Sequence, residues 1–287
     1  MANLSGKPIW YELLGRDSAV TEPFYTAVLG WRFTDAGMEA GMYGGTGGPA
    51  AYRFIKHGEG EYDFVGGAMQ LTPEMLAGGA LPMWVTYFCV EDVDAAAARI
   101  AERGGSVLMA PFDIEGVGRM AFVTDPQGIP FYVMRGISDP DTPDLESPDM
   151  DSPDMESHVF AAEGSHDGRC GWNELITPDL DAALGFYRDI FGYDTAERMS
   201  MGPEMGDYVF LKTGDRTIGA AMAAMEGSSP CWRFYFRVPD IEIALSAVEA
   251  NGGSVVFGPE DVPGDEVVIM AHDPEGTIFG LLAPKKD

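Results

Sequence analysis

Two short strings, Trp10-Tyr11-Glu12 and Trp172-Asn173-Glu174, carry residue types from which a chemical site can be built. Residues two apart in an extended strand share a face, so each string sets an indole beside a carboxylate. A carboxylate held among aromatic groups resists ionisation; its pKa tends upward and it can serve as a general acid or base. The competing reading is structural, because a buried carboxylate needs a tyrosine hydroxyl or an arginine whether or not it does chemistry. The same alternation joins Val85 to Tyr87 and Cys89, and Cys231 to Arg233 and Tyr235.

Other chemistries find less material. A divalent catalytic metal wants about three converging imidazole or carboxylate ligands, and the chain has four histidines, His57, His158, His166 and His272, none in a metal-binding spacing. The glycine-rich run from Gly37 to Gly48 is followed by no helix at the distance a phosphate loop requires, and reads instead as a hairpin. Met199, Met201 and Met205 occupy the corresponding part of the second half, where methionine can adapt to varied apolar ligands or fill a core. Three cysteines without paired spacing argue against a disulfide framework and fit a reducing compartment, so the expected location is cytoplasmic. No export signal or spanning segment is legible. A formal charge of -28 repels phosphate backbones and anionic lipid, which speaks against nucleic-acid and membrane partners.

The elements that must position these residues come from an internal repeat. Trp10, Glu12, Asp17, Phe24-Tyr25 and Gly30 return as Trp172, Glu174, Asp179, Phe186-Tyr187 and Gly192, at an offset of 162. Trp84, Tyr87, Asp92, Gly104-Gly105 and Asp125-Pro126-Gln127-Gly128 return as Trp232, Tyr235, Asp240, Gly252-Gly253 and Asp273-Pro274-Glu275-Gly276, at an offset of 148. The first half therefore holds an excess between residues 31 and 84, which Gly37–Gly48 is expected to supply in large part. Asp17, Asp92, Asp179 and Asp240 are placed to cap helices, and the double glycines to end two of them. Several strands without intervening helices favour an α+β fold over a doubly wound one. The chain divides into a first domain over 1–136, an acidic Pro-rich linker over 137–168 and a second domain over 169–287. Trp84 and Trp232 fall on the strand face opposite Val85 and Arg233 and read as packing residues.

These landmarks, twice in order, resemble the vicinal oxygen chelate superfamily of glyoxalases, bleomycin-resistance proteins and extradiol dioxygenases, most closely its two-domain actinobacterial glyoxalase-like type. The resemblance implies tandem glyoxalase-like domains, each of two βαβββ modules forming a half-open eight-stranded barrel. It also implies three ligand slots per domain, which fall here on Trp10, Val85 and Tyr132, and on Trp172, Arg233 and Gly280. None of these is a histidine or carboxylate, so no cofactor is expected.

Cavity walls of Trp10, Tyr87, Tyr132, Trp172, Arg233 and Tyr235 with Glu12 and Glu174 as acids suit a ligand with an apolar or flat body and one polar anchor. Arg233 is placed to pair with Glu174, whereas Val85 stands at the corresponding place near Glu12, which makes the first pocket the more reactive candidate. The expectation is a small-molecule binding protein, monomer or homodimer, without the usual catalytic metal. Two alternatives stay open. One is a lyase, isomerase or oxygenase using Glu12 and Glu174 as acid-base groups or unconventional metal ligands; the other is a scaffold whose pockets are filled by their own side chains.

Overall fold

A computed structural model describes residues 5–36, 52–60, 63–136, 159–161 and 166–286. The expected glycine-rich hairpin, His158 and most of the linker lie outside these residues. In the first repeat the order is β1 (Pro8–Gly15), α1 (Ser18–Leu29), β2 (Arg32–Asp35), β3 (Tyr52–Lys56), β4 (Phe64–Gln70), α2 (Pro73–Ala77), β5 (Met83–Cys89), α3 (Val93–Glu102), β6 (Ser106–Ile114), β7 (Gly118–Thr124) and β8 (Pro130–Gly136). The second repeat runs β9 (Cys170–Thr177), α4 (Leu180–Phe191), β10 (Arg198–Ser200), β11 (Asp207–Thr213), β12 (Arg216–Ala223), β13 (Cys231–Arg237), α5 (Ile241–Ala250), β14 (Ser254–Val262), β15 (Glu266–His272) and β16 (Ile278–Pro284).

Two eight-stranded mixed sheets result, ordered β2-β3-β4-β1-β5-β8-β7-β6 and β10-β11-β12-β9-β13-β16-β15-β14. This is the α+β arrangement the strand pattern favoured, in the tandem βαβββ modules that the resemblance implied. Among the described residues no helix is long and apolar enough to cross a membrane.

The local reasons for these elements are those the sequence offered. Asp17, Asp92, Asp179 and Asp240 each sit in extended backbone and accept amide hydrogens of the first helical turn, an interaction worth about 1 kcal/mol per cap. Gly104 and Gly252 follow the ends of α3 and α5 in the left-handed region, at φ 90° and 88°, as the double glycines implied; Gly30 and Gly192, which the sequence offered only as repeat landmarks, end α1 and α4 in the same way. The first repeat's excess is spread more widely than expected. Part of it is α2, capped by Thr72 and without a counterpart in the second repeat.

By contacts the chain forms two compact units, and each draws on both repeats. One comprises Met1–Ile9, Thr86–Ser157 and Asn173–Trp232; the other comprises Trp10–Val85, His158–Trp172 and Arg233–Asp287. In the second of these, Trp84 Nε1 donates to the Tyr25 hydroxyl at 2.9 Å, and Tyr25 donates to Asp273 Oδ2 at 3.1 Å. Trp31 stacks on Tyr25 and meets Phe236 edge-on at 4.9 Å. In the first unit, Trp232 Nε1 donates to Tyr187 at 3.0 Å and Tyr187 to Asp125 Oδ2 at 3.3 Å, among Phe88, Phe131 and Phe191. Burial of each such ring contributes about 1.5–3 kcal/mol, and the buried polar tips are satisfied by one another. Trp84 and Trp232 are packing residues, as their strand face required.

The Asp-Pro-x-Gly turns explain why aspartate stands there. Asp125 Oδ1 accepts from the amides of Gln127 and Ile129, each at 2.9 Å. Asp273 Oδ1 does the same with Glu275 and Thr277 at 2.9 and 2.8 Å. The other oxygen of each carboxylate is left for the tyrosine. The end of the linker is also built into this core: Ala161 N donates to Cys170 O, and Trp31 Nε1 to Gly168 O.

Candidate functional site

Alternation along β1 sends Leu13 to the α1 side, where it lines a small cavity with Thr21 and Glu22, and turns Trp10 and Glu12 to the opposite face. Glu12 pairs in register with Gly67 on β4, and Gly67 with Phe54 on β3. Tyr52, two residues before Phe54, shares that face and accepts the Trp10 indole N–H at 2.8 Å. A Cβ on residue 67 would lie 2.0 Å from the Tyr52 hydroxyl and 3.1 Å from Trp10 Nε1. Only glycine there lets the phenol lie across β4 to reach the indole.

Phe54 completes the group, edge-on to both Trp10 (6.2 Å, 87°) and Tyr52 (5.8 Å, 86°). Glu12 is wholly buried, while Trp10 and Phe54 remain partly exposed. The structure thus brings together Trp10 and Glu12 and adds Tyr52 and Phe54, which the sequence reading did not single out.

The second repeat builds the same set with a different hydrogen bond. Glu174 pairs in register with Ala220, Ala220 with Phe210, and Tyr208 stands edge-on to Phe210 at 5.9 Å. Here the tyrosine hydroxyl donates to Glu174 Oε1 at 2.9 Å, the kind of partner the structural reading of this acid demanded. Met199 lies opposite Tyr208 on β10 and so shares its face. Trp172 is partly exposed two residues before Glu174.

Tyr87 and Tyr132 are neighbours across β5 and β8 and stack at 4.2 Å with their planes 5° apart. Phe122 on β7 continues the stack against Tyr132 at 4.5 Å. The corresponding place in the second repeat holds Gly280, over which the Tyr235 ring lies: a Cβ there would come 2.1 Å from Tyr235 Cδ1. Arg233 is buried and its guanidinium meets the Met270 sulfur. Burial pushes the Cys89 thiol up, and burial pushes Cys170 up to about 12, so these two thiols behave as small apolar residues.

The sequence model of the Glyoxalase/Bleomycin resistance protein/Dioxygenase superfamily matches residues 8–133 and 169–281, and the chain belongs to that superfamily. It is 31% identical over 280 residues to a protein of Mycobacterium tuberculosis named "Putative glyoxylase CFP32", covering 97% of this chain and 95% of the relative. It is 29% identical over 285 residues to "Anthracycline biosynthesis protein DauV" of a Streptomyces species, covering 96% and 93%. Among solved structures it is similar to homoprotocatechuate 2,3-dioxygenase of Brevibacterium fuscum, with a TM-score of 0.62, 16% identity, and coverage of 99% of this chain and 82% of that one. The last likeness is one of fold.

Dioxygenase-type chemistry calls for a metal, and the residues at the slots that the resemblance implies do not fit one. Trp10 offers an N–H donor already given to Tyr52, Tyr132 is sandwiched between Tyr87 and Phe122, and Gly280 has no donor and lies under Tyr235. Val85 and Arg233 supply an apolar group and a cation, neither of which coordinates a divalent ion. Among the described residues no three His, Cys, Asp or Glu side chains are grouped to hold an ion.

Proposed function

We propose that the chain is a small-molecule binding member of its superfamily. Its ligand is flat and aromatic, and is held on the Trp10-Glu12-Tyr52-Phe54 face without a metal in the usual place. The observation that carries this reading is the set of partly exposed rings, Trp10 and Phe54, packed edge-on around a buried carboxylate and a fixed phenol. Trp10 and Phe54 keep part of their surface open, and a flat ligand stacked on an open ring face gains about 0.5–1.5 kcal/mol per ring beyond its area burial. Glu12, wholly buried on the same strand face, becomes the polar anchor such sites use for orientation once the ligand displaces the rings that cover it. Of the other candidates Tyr87, Tyr132, Trp172, Arg233 and Tyr235, Trp172 is partly exposed and the other four are buried against their own neighbours, so Trp172 is the next to test. The name of the Streptomyces relatives, anthracycline biosynthesis proteins, points to polycyclic aromatic compounds as the first ligands to try.

A second reading, acid-base catalysis, is favoured by one observation in the second repeat. The 2.9 Å hydrogen bond from Tyr208 that satisfies Glu174 as a structural acid also holds it in the single orientation a general acid or base needs.

A thermal-shift screen of polycyclic and monocyclic aromatic compounds on wild type, Glu12→Ala and Glu174→Ala tests both. Compounds that raise the melting temperature of wild type and lose most of the effect in Glu12→Ala support the binding reading. Compounds that stabilise all three proteins equally would remove the carboxylates from it.

A further inference from the structure

The third residue of each Asp-Pro-x-Gly turn differs between the two repeats. Those residues are Gln127 in the first repeat and Glu275 in the second, and each reaches the start of a helix in the other repeat. Glu275 Oε2 accepts the Arg16 amide and Oε1 the Asp17 amide, both at 2.7 Å. Two N–H donors thereby meet two carboxylate acceptors just before α1.

At the equivalent point of the second repeat the sequence reads Thr177-Pro178-Asp179, and Pro178 has no amide hydrogen to give. Gln127 is matched to that change. Its carbonyl oxygen takes the Thr177 hydroxyl and the Asp179 amide, and its Nε2 donates to Asp179 O at 2.8 Å.

The neighbouring contacts cross between repeats in the same sense. Tyr25 of the first repeat donates to Asp273 of the second and packs on Phe279 at 5.4 Å. Tyr187 of the second donates to Asp125 of the first and packs on Phe131 at 5.8 Å. Both compact units are therefore made of one module from each repeat.

We propose that the repeats are obligate partners, each completing the other, and that Gln127 and Glu275 make unlike pairing better than like pairing. A second repeat paired with its own kind would set a Glu275 oxygen against the Asp179 carbonyl, acceptor against acceptor. A first repeat paired with its own kind would set the Gln127 amide N–H against the Arg16 or Asp17 N–H, donor against donor. Either mismatch exchanges a direct hydrogen bond at the edge of the seam for a facing pair of like poles. The partner surface of each repeat is thus the other repeat, and the covalent link between them is dispensable once they have met.

The test uses the full chain with a protease recognition sequence placed between residues 140 and 157. After cleavage under native conditions, sedimentation and native mass spectrometry are expected to find one species at the mass of the intact chain, holding one copy of each piece. Separation of the pieces at micromolar concentration would overturn the proposal. The cleaved protein is then unfolded in urea and refolded. Mixed pairs are expected to exceed like pairs by about threefold or more over the statistical ratio, the equivalent of about one lost solvent-accessible hydrogen bond, and a statistical ratio would overturn the preference. Gln127→Glu is expected to raise dissociation of the cleaved pair by about tenfold, and Glu275→Gln, which removes one of two acceptors, by a smaller factor. Glu59→Gln, on a wholly surface ion pair, is the control; equal dissociation of all three variants would refute the roles given to residues 127 and 275, including where one of the first two is recovered in low yield and only the other can be measured.

Discussion

Replacing Tyr25 by Phe removes a single oxygen and leaves the ring packing of its unit in place, so it isolates the polar half of the Trp84-Tyr25-Asp273 chain. That oxygen accepts one hydrogen bond at 2.9 Å and donates another at 3.1 Å, and both partners are buried. Without it the Trp84 N–H is stranded in an apolar cluster, at a cost of about 1–3 kcal/mol. The Asp273 carboxyl keeps its two turn amides but loses its third bond, worth about 1–2 kcal/mol given that acceptor's charge and partial burial. The expected loss is about 3 kcal/mol, read as a lower urea midpoint at unchanged slope. Tyr187→Phe should behave alike, with a somewhat smaller loss because its bond to Asp125 is longer, at 3.3 Å. A loss below about 0.5 kcal/mol in both variants would mean that water reaches these groups, and the account of the core would be wrong.

Burial pushes Asp125 and Asp273 upward, with the turn amides and the tyrosines opposing it. A carboxyl whose folded pKa exceeds its unfolded value binds protons more tightly when folded, so its contribution to stability declines as pH rises from the ordinary aspartate range through the raised value. Asp125→Asn with Asp273→Asn should therefore flatten that part of the stability profile, and urea midpoints across pH 3 to 7 that keep the wild-type slope would count against it. Gly67→Ala should displace Tyr52, lowering stability by about 1–3 kcal/mol and weakening any ligand that Glu12→Ala weakens; calorimetry showing wild-type affinity would contradict the geometry. Tyr208→Phe should leave affinity at the Trp10 face unchanged while lowering the rate of any reaction dependent on Glu174, whose carboxylate it holds, and an unchanged rate would separate that hydroxyl from the chemistry.

Much of the architecture was legible because it rests on local rules. The capping aspartates, the terminating glycines and the Asp-Pro-x-Gly turns each act within a few residues of themselves, and all stand where the sequence put them. Strand alternation likewise separated Trp10 and Glu12 from Leu13, and Trp84 from Val85. What escaped was non-local. Tyr52 and Phe54 become neighbours of Glu12 only through the register of β3, β4 and β1.

A signal for them existed in Tyr52-Arg53-Phe54-Ile55-Lys56 and Tyr208-Val209-Phe210-Leu211-Lys212, which repeat at an offset of 156. It sits between the two offsets that carried the alignment, where the excess of the first repeat is still accumulating. The exchange of modules between repeats was also hidden, since a duplicated sequence looks the same whether each copy packs on itself or on the other. The changed partner at Gln127 and Glu275 was visible as letters, but its meaning required the amide that Pro178 lacks.

The central claim is that a flat ligand sits on the β1 face through rings and a carboxylate, with no ion between. Equilibrium titration of the best aromatic ligand into chelator-treated wild type and Trp10→Ala protein measures this directly. The account predicts an affinity indifferent to the chelator and reduced at least about tenfold by the substitution, as loss of a ring-stacking anchor implies. Binding that vanishes with the chelator, returns with a divalent metal and ignores Trp10→Ala would contradict it.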